Sequence, residues 1–341
     1  MNLRYRFYDL PLKDAFTISR YTVTIQKTVI VGLSHQGQTG YGEATVNPYY
    51  QSTQERLQQA LHRVQREFSR NTRDQLEEPA QFHKRIAALI PGESFALCAL
   101  DTAYWDLYAR LNSRTLRSYW SETDQTPKSS YTIGLDTVER MQTKIQQQPW
   151  PIYKIKLGGE NDLECIQSLR EVTSAEFRVD ANCAWTVKQT LKYSREMKDL
   201  GVTLLEQPLA REQQAEMQLC FRESALPLMA DESCQTEDDV KRCVGHFHSI
   251  NIKLMKCGGI TPALRMIQEA RALGLQIMLG CMTESTVGIS AAAQLAPLVD
   301  YLDLDGALLL AEDTAEGVKV AHGVIKFSEN NGTGVTLKHS F

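Results

Sequence analysis

The strongest constraint in this 341-residue chain is a recurrence of charged residues at near-constant separation. Lys156, Asp180, Glu206, Asp231 and Lys253 follow one another at intervals of 22 to 26 residues, most of them closing a short apolar run. A βα unit needs about that length, because a parallel crossover with its helix takes roughly a dozen residues or more. The spacing therefore predicts successive parallel strands that carry acids and lysines at the same end. Strands are expected at 131–135, 153–157, 177–180, 202–206, 228–231, 249–254, 276–280 and 301–305. These runs are apolar on both faces, as required of strands lying between a barrel interior and a helix layer. Alternating with helices, they predict an α/β fold, a modified (β/α)8 TIM-type barrel with its chemistry at the C-terminal strand ends. Helix starts are expected at Thr186, at Thr236 with Asp239 three residues on, and at Thr261 with Pro262 in the first helical position.

Ahead of the barrel, residues 3–9, 22–33 and 38–45 read as an antiparallel meander, and 52–69, 79–90 and 93–112 as helices. Strands followed by helices predict an N-terminal α+β domain over 1–125. The polar, aperiodic stretch 121–130 marks the boundary, and the barrel is expected to occupy 126–316. The tail, 317–341, holds too many β-branched residues for another helix. It carries a hairpin-like Gly332-Thr333-Gly334 and is expected to return toward the first domain.

Net charge is −4 with a pI near 6.0, and no basic block interrupts the chain, which argues against nucleic acid as a partner. No run approaches the ~18 apolar residues of a membrane span, and the N-terminus lacks the apolar stretch of a signal peptide. The eight cysteines form no C-x-x-C pair. They read as small buried hydrophobes in a reducing cytoplasm, not as disulfides or a zinc site.

Asp180, Glu206 and Asp231 supply one carboxylate from each of three consecutive strands. One acid at a strand end reads as a helix cap or a surface ion pair. Three in phase would repel strongly without a cation, and all-oxygen ligation points to Mg2+ or Mn2+. Lys156 lies one strand before the trio and Lys253 one strand after it, which places two amines on opposite sides of the metal. Lys154 shares strand parity with Lys156, so both point the same way, and two ammonium groups so close favour deprotonation of one. Lys253 shares a face with Asn251 and precedes Cys257-Gly258-Gly259, whereas Lys256 is expected on a loop near the rim.

Together these residues resemble the enolase superfamily, muconate-lactonizing subgroup, and within it the dipeptide epimerases (the L-Ala-D/L-Glu epimerase family). The motifs are Lys154-Ile155-Lys156, Val179-Asp180-Ala181-Asn182, Glu206-Gln207-Pro208, Asp231-Glu232-Ser233 and Asn251-Ile252-Lys253-Leu254. They span the barrel, and Gly40-Tyr41-Gly42-Glu43-Ala44 resembles the superfamily's capping domain. Asp303-Leu304-Asp305 is narrower, resembling the D-x-D with which dipeptide epimerases hold a substrate's α-ammonium.

The resemblance implies Mg2+, with Mn2+ as the alternative, on Asp180, Glu206 and Asp231, supported by Asn182, Glu232 and Asn251. It implies an enediolate stabilised by the metal and the Lys154 ammonium, with Lys156 and Lys253 exchanging acid and base roles across it. The default substrate is a small dipeptide, L-Ala-D/L-Glu, a peptidoglycan fragment. Specificity is expected from a first-domain loop near 14–22, where Arg20 is either the partner of a glutamate side chain or a surface cation. Met282, in Cys281-Met282-Thr283-Glu284, is expected to line the site, and Glu284 to begin the next helix. The nearest alternatives are a muconate-type cycloisomerase and an o-succinylbenzoate synthase, whose substrates offer no ammonium to an aspartate pair. A non-catalytic binding protein would have no need of two opposed lysines. Assembly as a homo-oligomer is left open.

Overall fold

The N-terminal strands form one antiparallel sheet, whose middle strand is buried without alternation from Thr28 to Leu33. In the computed structural model, which describes residues 1–70 and 76–339, β1 (Asn2–Ile18), β2 (Tyr21–His35) and β3 (Gln38–Thr45) pair in the order β1-β2-β3. The loop expected over 14–22 is instead the end of a long hairpin whose tip is Ser19-Arg20. The register slips between Pro11 and Phe16, after which Phe16 pairs with Val23 and Ile18 with Tyr21. Such an irregularity bends a strand. Here the extra residues meet the barrel, where Leu12 bridges Leu310 and the Ala311 amide donates to Pro11 O.

Helices α1 (Gln54–Arg70), α2 (Pro79–Leu89) and α3 (Ser94–Leu111) follow. α3 is buried on nearly all sides, and β3 lies against it through the Gly40-Tyr41-Gly42 motif. A Cβ at Gly42 would stand 2.0 Å from Ala99 O, and one at Gly40 2.2 Å from Ala103 O. Only glycine permits that approach.

The barrel strands are β4 (Tyr131–Ile133), β5 (Ile152–Lys156), β6 (Glu176–Asp180), β7 (Val202–Glu206), β8 (Leu228–Ala230), β9 (Ser249–Lys253), β10 (Gln276–Gly280) and β11 (Tyr301–Asp303). They pair in parallel and in chain order. Closure comes from Ser129, which bridges Leu302, and from the Ser130 amide, which donates to Leu302 O. Outside lie α4 (Val138–Gln147), α5 (Asp162–Arg170), α6 (Val187–Asp199), α7 (Gln214–Glu223), α8 (Glu237–Cys243), the single turn α9 (Leu254–Cys257), α10 (Ile260–Ala272) and α11 (Thr286–Ala293). Thr186 and Thr236 open α6 and α8 with reciprocal capping boxes to Gln189 and Asp239.

The start expected at Thr261-Pro262 falls slightly earlier, at Ile260, because Gly259 (φ +122°) separates α10 from α9. Asp101 of α3 then accepts from Thr261 N and Oγ1 at 2.9 and 2.7 Å. Glu43 of β3 similarly accepts from Ser285 N, Ser285 Oγ and Gly288 N at the start of α11. Buried acids of the first domain thus cap helices of the barrel.

The tail contributes β12 (Ala315–Glu316), β13 (Lys319–Ala321), β14 (Val324–Lys326) and β15 (Thr336–Leu337). Its hairpin turn is His322-Gly323, not Gly332-Thr333-Gly334. The latter packs on α3, where Thr333 N and Oγ1 donate to Asp106 Oδ1 at 2.7 and 3.1 Å. Residues 340 and 341 of the predicted C-terminal segment lie outside the described residues. All eight cysteines are unpaired. No helix among the described residues is long and apolar enough to cross a membrane.

Candidate active site

Strands in chain order place their terminal residues in chain order around the barrel mouth, so strands four apart face each other. β5 therefore faces β9, which sets Lys156 opposite Lys253. β7 faces β11, which sets Glu206 opposite Asp303. Between the lysines, Asp180, Glu206 and Asp231 are all buried, and each offers an oxygen within 4.8 Å of the others. An all-carboxylate set at that separation, with no histidine or thiolate, fits a hard divalent ion such as Mg2+.

Each lysine has a defined partner. Lys156 Nζ lies 2.6 Å from Asp180 Oδ2, and Lys253 Nζ lies 2.8 Å from Asp231 Oδ2. Lys154 Nζ sits deeper, 2.9 Å from Glu206 Oε2 and 2.7 Å from Asp303 Oδ2. Burial works against its charge, but Asp303, Glu206, Asp180 and Asp231 outweigh burial and hold it well above the ordinary lysine value. The expected mutual depression by Lys156 therefore does not govern Lys154, because carboxylates separate the two ammonium groups. Burial likewise opposes charge on Lys253, and Asp231 raises it. Burial pushes the Glu206 carboxyl up to about 7, whereas the surrounding lysines keep Asp180 and Asp231 below the usual carboxylate value despite burial.

Lys256 is not a rim residue. It stands on α9, 3% exposed, and its Nζ donates to Asp231 O at 2.7 Å, Asp231 Oδ1 at 2.6 Å and Asn251 O at 2.9 Å. The turn of α9 folds it back under β8 and β9, a placement that strand parity does not describe. Gln207 carries no charge, and its place in the Glu206-Gln207-Pro208 motif gave it no role in the sequence reading. It is fully buried, and its Oε1 accepts from Asp231 N and Ser233 N at 3.0 Å each.

Around these groups, Asn251 Nδ2 donates to Glu206 Oε1 at 2.9 Å, and Asn182 N donates to Asp180 Oδ1 at 2.9 Å. Asn182 and Cys183 both adopt positive φ, which turns the chain sharply over the end of β6. Arg20, at the hairpin tip, does reach the mouth. Its Nη2 lies 2.6 Å from Glu232 Oε1, its Nη1 donates to Asn182 O at 2.9 Å, and its guanidinium stacks 4.2 Å from the Tyr49 ring.

Across the mouth, Asp303 Oδ1 accepts from Ser130 Oγ at 2.8 Å, and Asp305 Oδ2 accepts from Thr132 N at 2.5 Å. Burial tends to raise Asp303, yet Lys154 draws it down to about 2, while burial beside Asp303 pushes Asp305 up to about 7. Met282 lines the cavity. Glu284 is buried just ahead of α11, where it accepts from Met282 N at 2.9 Å, and Ser285 supplies the helix cap.

The cavity lies between the barrel mouth and the hairpin and encloses about 770 Å3 with its open mouth included. Its outer wall is Phe16, Ile18, Tyr21, Val23, Tyr49 and Tyr50. Of these, Phe16, Ile18 and Tyr21 fall in the stretch near 14–22 expected to cap the site, whereas Val23, Tyr49 and Tyr50 escaped the sequence reading.

Two family descriptions match the chain: "Mandelate racemase / muconate lactonizing enzyme, N-terminal domain" over residues 5–118 and "Enolase C-terminal domain-like" over 136–341. An L-Ala-D/L-amino acid epimerase of Flavobacterium johnsoniae is 50% identical over 338 residues, covering 99% of this chain and 100% of that one. The substrate-liganded L-Ala-D/L-Glu epimerase of Bacillus subtilis superposes with a TM-score of 0.92 at 28% identity, covering 98% of both chains. The dipeptide epimerase of Cytophaga hutchinsonii, complexed with Mg and D-Ala-L-Val, superposes at 0.91 with 26% identity, covering 99% of this chain and 96% of that one.

Proposed function

The chain belongs to the mandelate racemase/muconate lactonizing enzyme family of the enolase superfamily, and on that premise we propose that it epimerises dipeptides at the α-carbon of their C-terminal residue. The observation that carries this reading is the pair of lysines facing each other across three clustered carboxylates, with Asp303 at the end of β11 and Asp305 just beyond it. Relatives named for L-Ala dipeptides at 50% and 38% identity support an N-terminal alanine, of which the expected L-Ala-D/L-Glu is one case.

Mg2+, with Mn2+ as a second fit, would be held by Asp180, Glu206 and Asp231 and would supply positive charge beside the substrate carboxylate. The Lys154 ammonium stands on the same side and stabilises the negative charge that develops there. One of Lys156 and Lys253, as the free amine, takes the α-proton, and the electron pair of the C–H bond passes into the planar enediolate. The other, as ammonium, returns a proton to the opposite face, so the centre inverts and the two lysines exchange protonation states. Asp303 and Asp305 accept from the substrate's α-ammonium. Asn182, Glu232 and Asn251 hold the metal-binding carboxylates and their loops in place. We place the enzyme in the cytoplasm, a reading supported by its unpaired cysteines.

The test is incubation with Mg2+ in D2O and a panel of L-Ala dipeptides, following the C-terminal α-proton by NMR. Loss of that signal with growth of the diastereomer is expected. Absence of exchange on every dipeptide would reject the assignment.

A further inference from the structure

Glu284 is a buried carboxyl that the reaction above does not use, and it stands behind one wall of the cavity. That wall, residues 281–283, leaves β10 between β9, which ends in Lys253, and β11, which ends in Asp303. Glu284 Oε1 accepts from Met282 N at 2.9 Å and so holds the turn from behind. Its other oxygen lies over the first turn of α11, where a Cβ at Gly288 would stand 1.8 Å from Oε2. On its far side the same turn presses on the residue that follows Asp305. A Cβ at Gly306 would stand 2.2 Å from Met282 O and 3.1 Å from Cys281 Sγ. Met282 is thus held through its amide by Glu284, and its carbonyl bears directly on the backbone beside the aspartate pair.

Two acids meet at the start of α11 and divide the donors unequally. Glu43 accepts from Ser285 N and Oγ, Gly288 N and Thr28 Oγ1, whereas among the described residues Glu284 takes only the Met282 amide. Neighbouring buried carboxyls do not readily ionise together, and the one with more donors keeps the charge. Burial and the nearby Glu43 hold Glu284 well above the usual glutamate value, so Glu284 is the member that carries the proton. A glutamine, uncharged and of the same length, can therefore replace it as acceptor of Met282 N. Glu43 caps α11 by its own bonds, so loss of the Glu284 side chain frees the turn and leaves the helix capped.

We propose that Glu284 is a positioning residue for the ammonium site: by holding the Met282 amide it sets the 281–283 wall against Gly306, and with it the turn at Asp305-Gly306 that receives the substrate's amino terminus. The role at the amino terminus rests on the dipeptide reading above.

The experiment compares wild type, Glu284→Ala and Glu284→Gln, all loaded with Mg2+, by kcat and KM on the L-Ala dipeptide that wild type turns over best. Hydrogen exchange of the Met282 amide is followed in parallel without substrate. Glu284→Ala should raise KM about fivefold or more with kcat within about threefold, and should lose protection at Met282. Glu284→Gln should keep KM, kcat and protection within about twofold of wild type. An unchanged KM in folded Glu284→Ala, or a loss confined to kcat, overturns the proposal, and so does a Gln variant as impaired as the Ala variant. If Glu284→Ala does not fold, Glu284→Asp, whose carboxyl falls one methylene short of the Met282 amide, takes its place in the same comparison. Exchange on no dipeptide by wild type overturns the epimerase reading itself, whereas Met282 protection still decides whether Glu284 holds the wall.

Discussion

Replacing Lys256 with methionine tests how the barrel holds Asp231. The substitution keeps most of the aliphatic volume and removes an ammonium whose side chain is 1% exposed. Three acceptors lose their donor: Asp231 Oδ1, Asp231 O and Asn251 O. Hydrogen bonds to charged groups contribute about 1.5–3 kcal/mol each, and breaking a buried ion pair from one side costs about 3–5 kcal/mol. The terms do not add, since Lys253 still pairs with Asp231 Oδ2 at 2.8 Å and the lysine's own desolvation is relieved. A loss of roughly 3 kcal/mol is therefore expected in urea unfolding without Mg2+. A metal-binding carboxylate released from one support should also lower Mg2+ affinity or turnover about tenfold or more, read by Mg2+ titration and α-proton exchange. Lys241→Met is the control. Its side chain is 76% exposed and pairs with Glu269 at 3.2 Å, so a change within about 0.5 kcal/mol is expected. If Lys256→Met unfolds like that control and keeps wild-type exchange, Lys256 is not a support for Asp231.

Three further outcomes follow from the same geometry. Asp101 is raised by burial to about 7 from an unfolded value near 4, so its contribution to stability is complete below about pH 4 and lost as pH rises through about 7. Urea unfolding across that range should show a smaller decline for Asp101→Asn than for wild type, and equal slopes would contradict the assignment. Lys156→Ala and Lys253→Ala should each abolish inversion, measured as diastereomer formation in D2O. Retained inversion in either one would remove that lysine from the reaction. Asp303→Asn should raise KM for dipeptides about tenfold or more while leaving N-acetylated amino acids, which lack the ammonium, unaffected in relative terms. A parallel loss on both substrate types would show that the variant acts through Lys154, its 2.7 Å partner, instead.

Much of the barrel was legible in one dimension because its period is physical. A βα unit has a near-fixed length, a strand alternates faces every residue, and a barrel puts equivalent strand ends at one mouth. Those regularities are enough to bring Asp180, Glu206, Asp231, Lys156 and Lys253 together from numbers alone. They also predict that Lys154 shares a face with Lys156, since Ile155 lies between them on β5.

What the period could not convey is who stands next to whom once the strands close. Lys256 looked like a loop cation until the single turn of α9 carried it under two strands. Lys154 and Lys156 looked like competing ammonium groups until Asp180 was found paired with both. Arg20 and Glu232 are 212 residues apart, and no local signal links them. They meet because the β1–β2 register slips between Pro11 and Phe16 and the hairpin extends to a tip over the mouth. Sequence by itself determined the kind of site, an acid trio between opposed lysines, because strand geometry is local and repeating. The Arg20–Glu232 pair at the mouth was decided by tertiary structure alone, because an ion pair between residues so far apart in the chain depends on a fold-over that no repeat encodes.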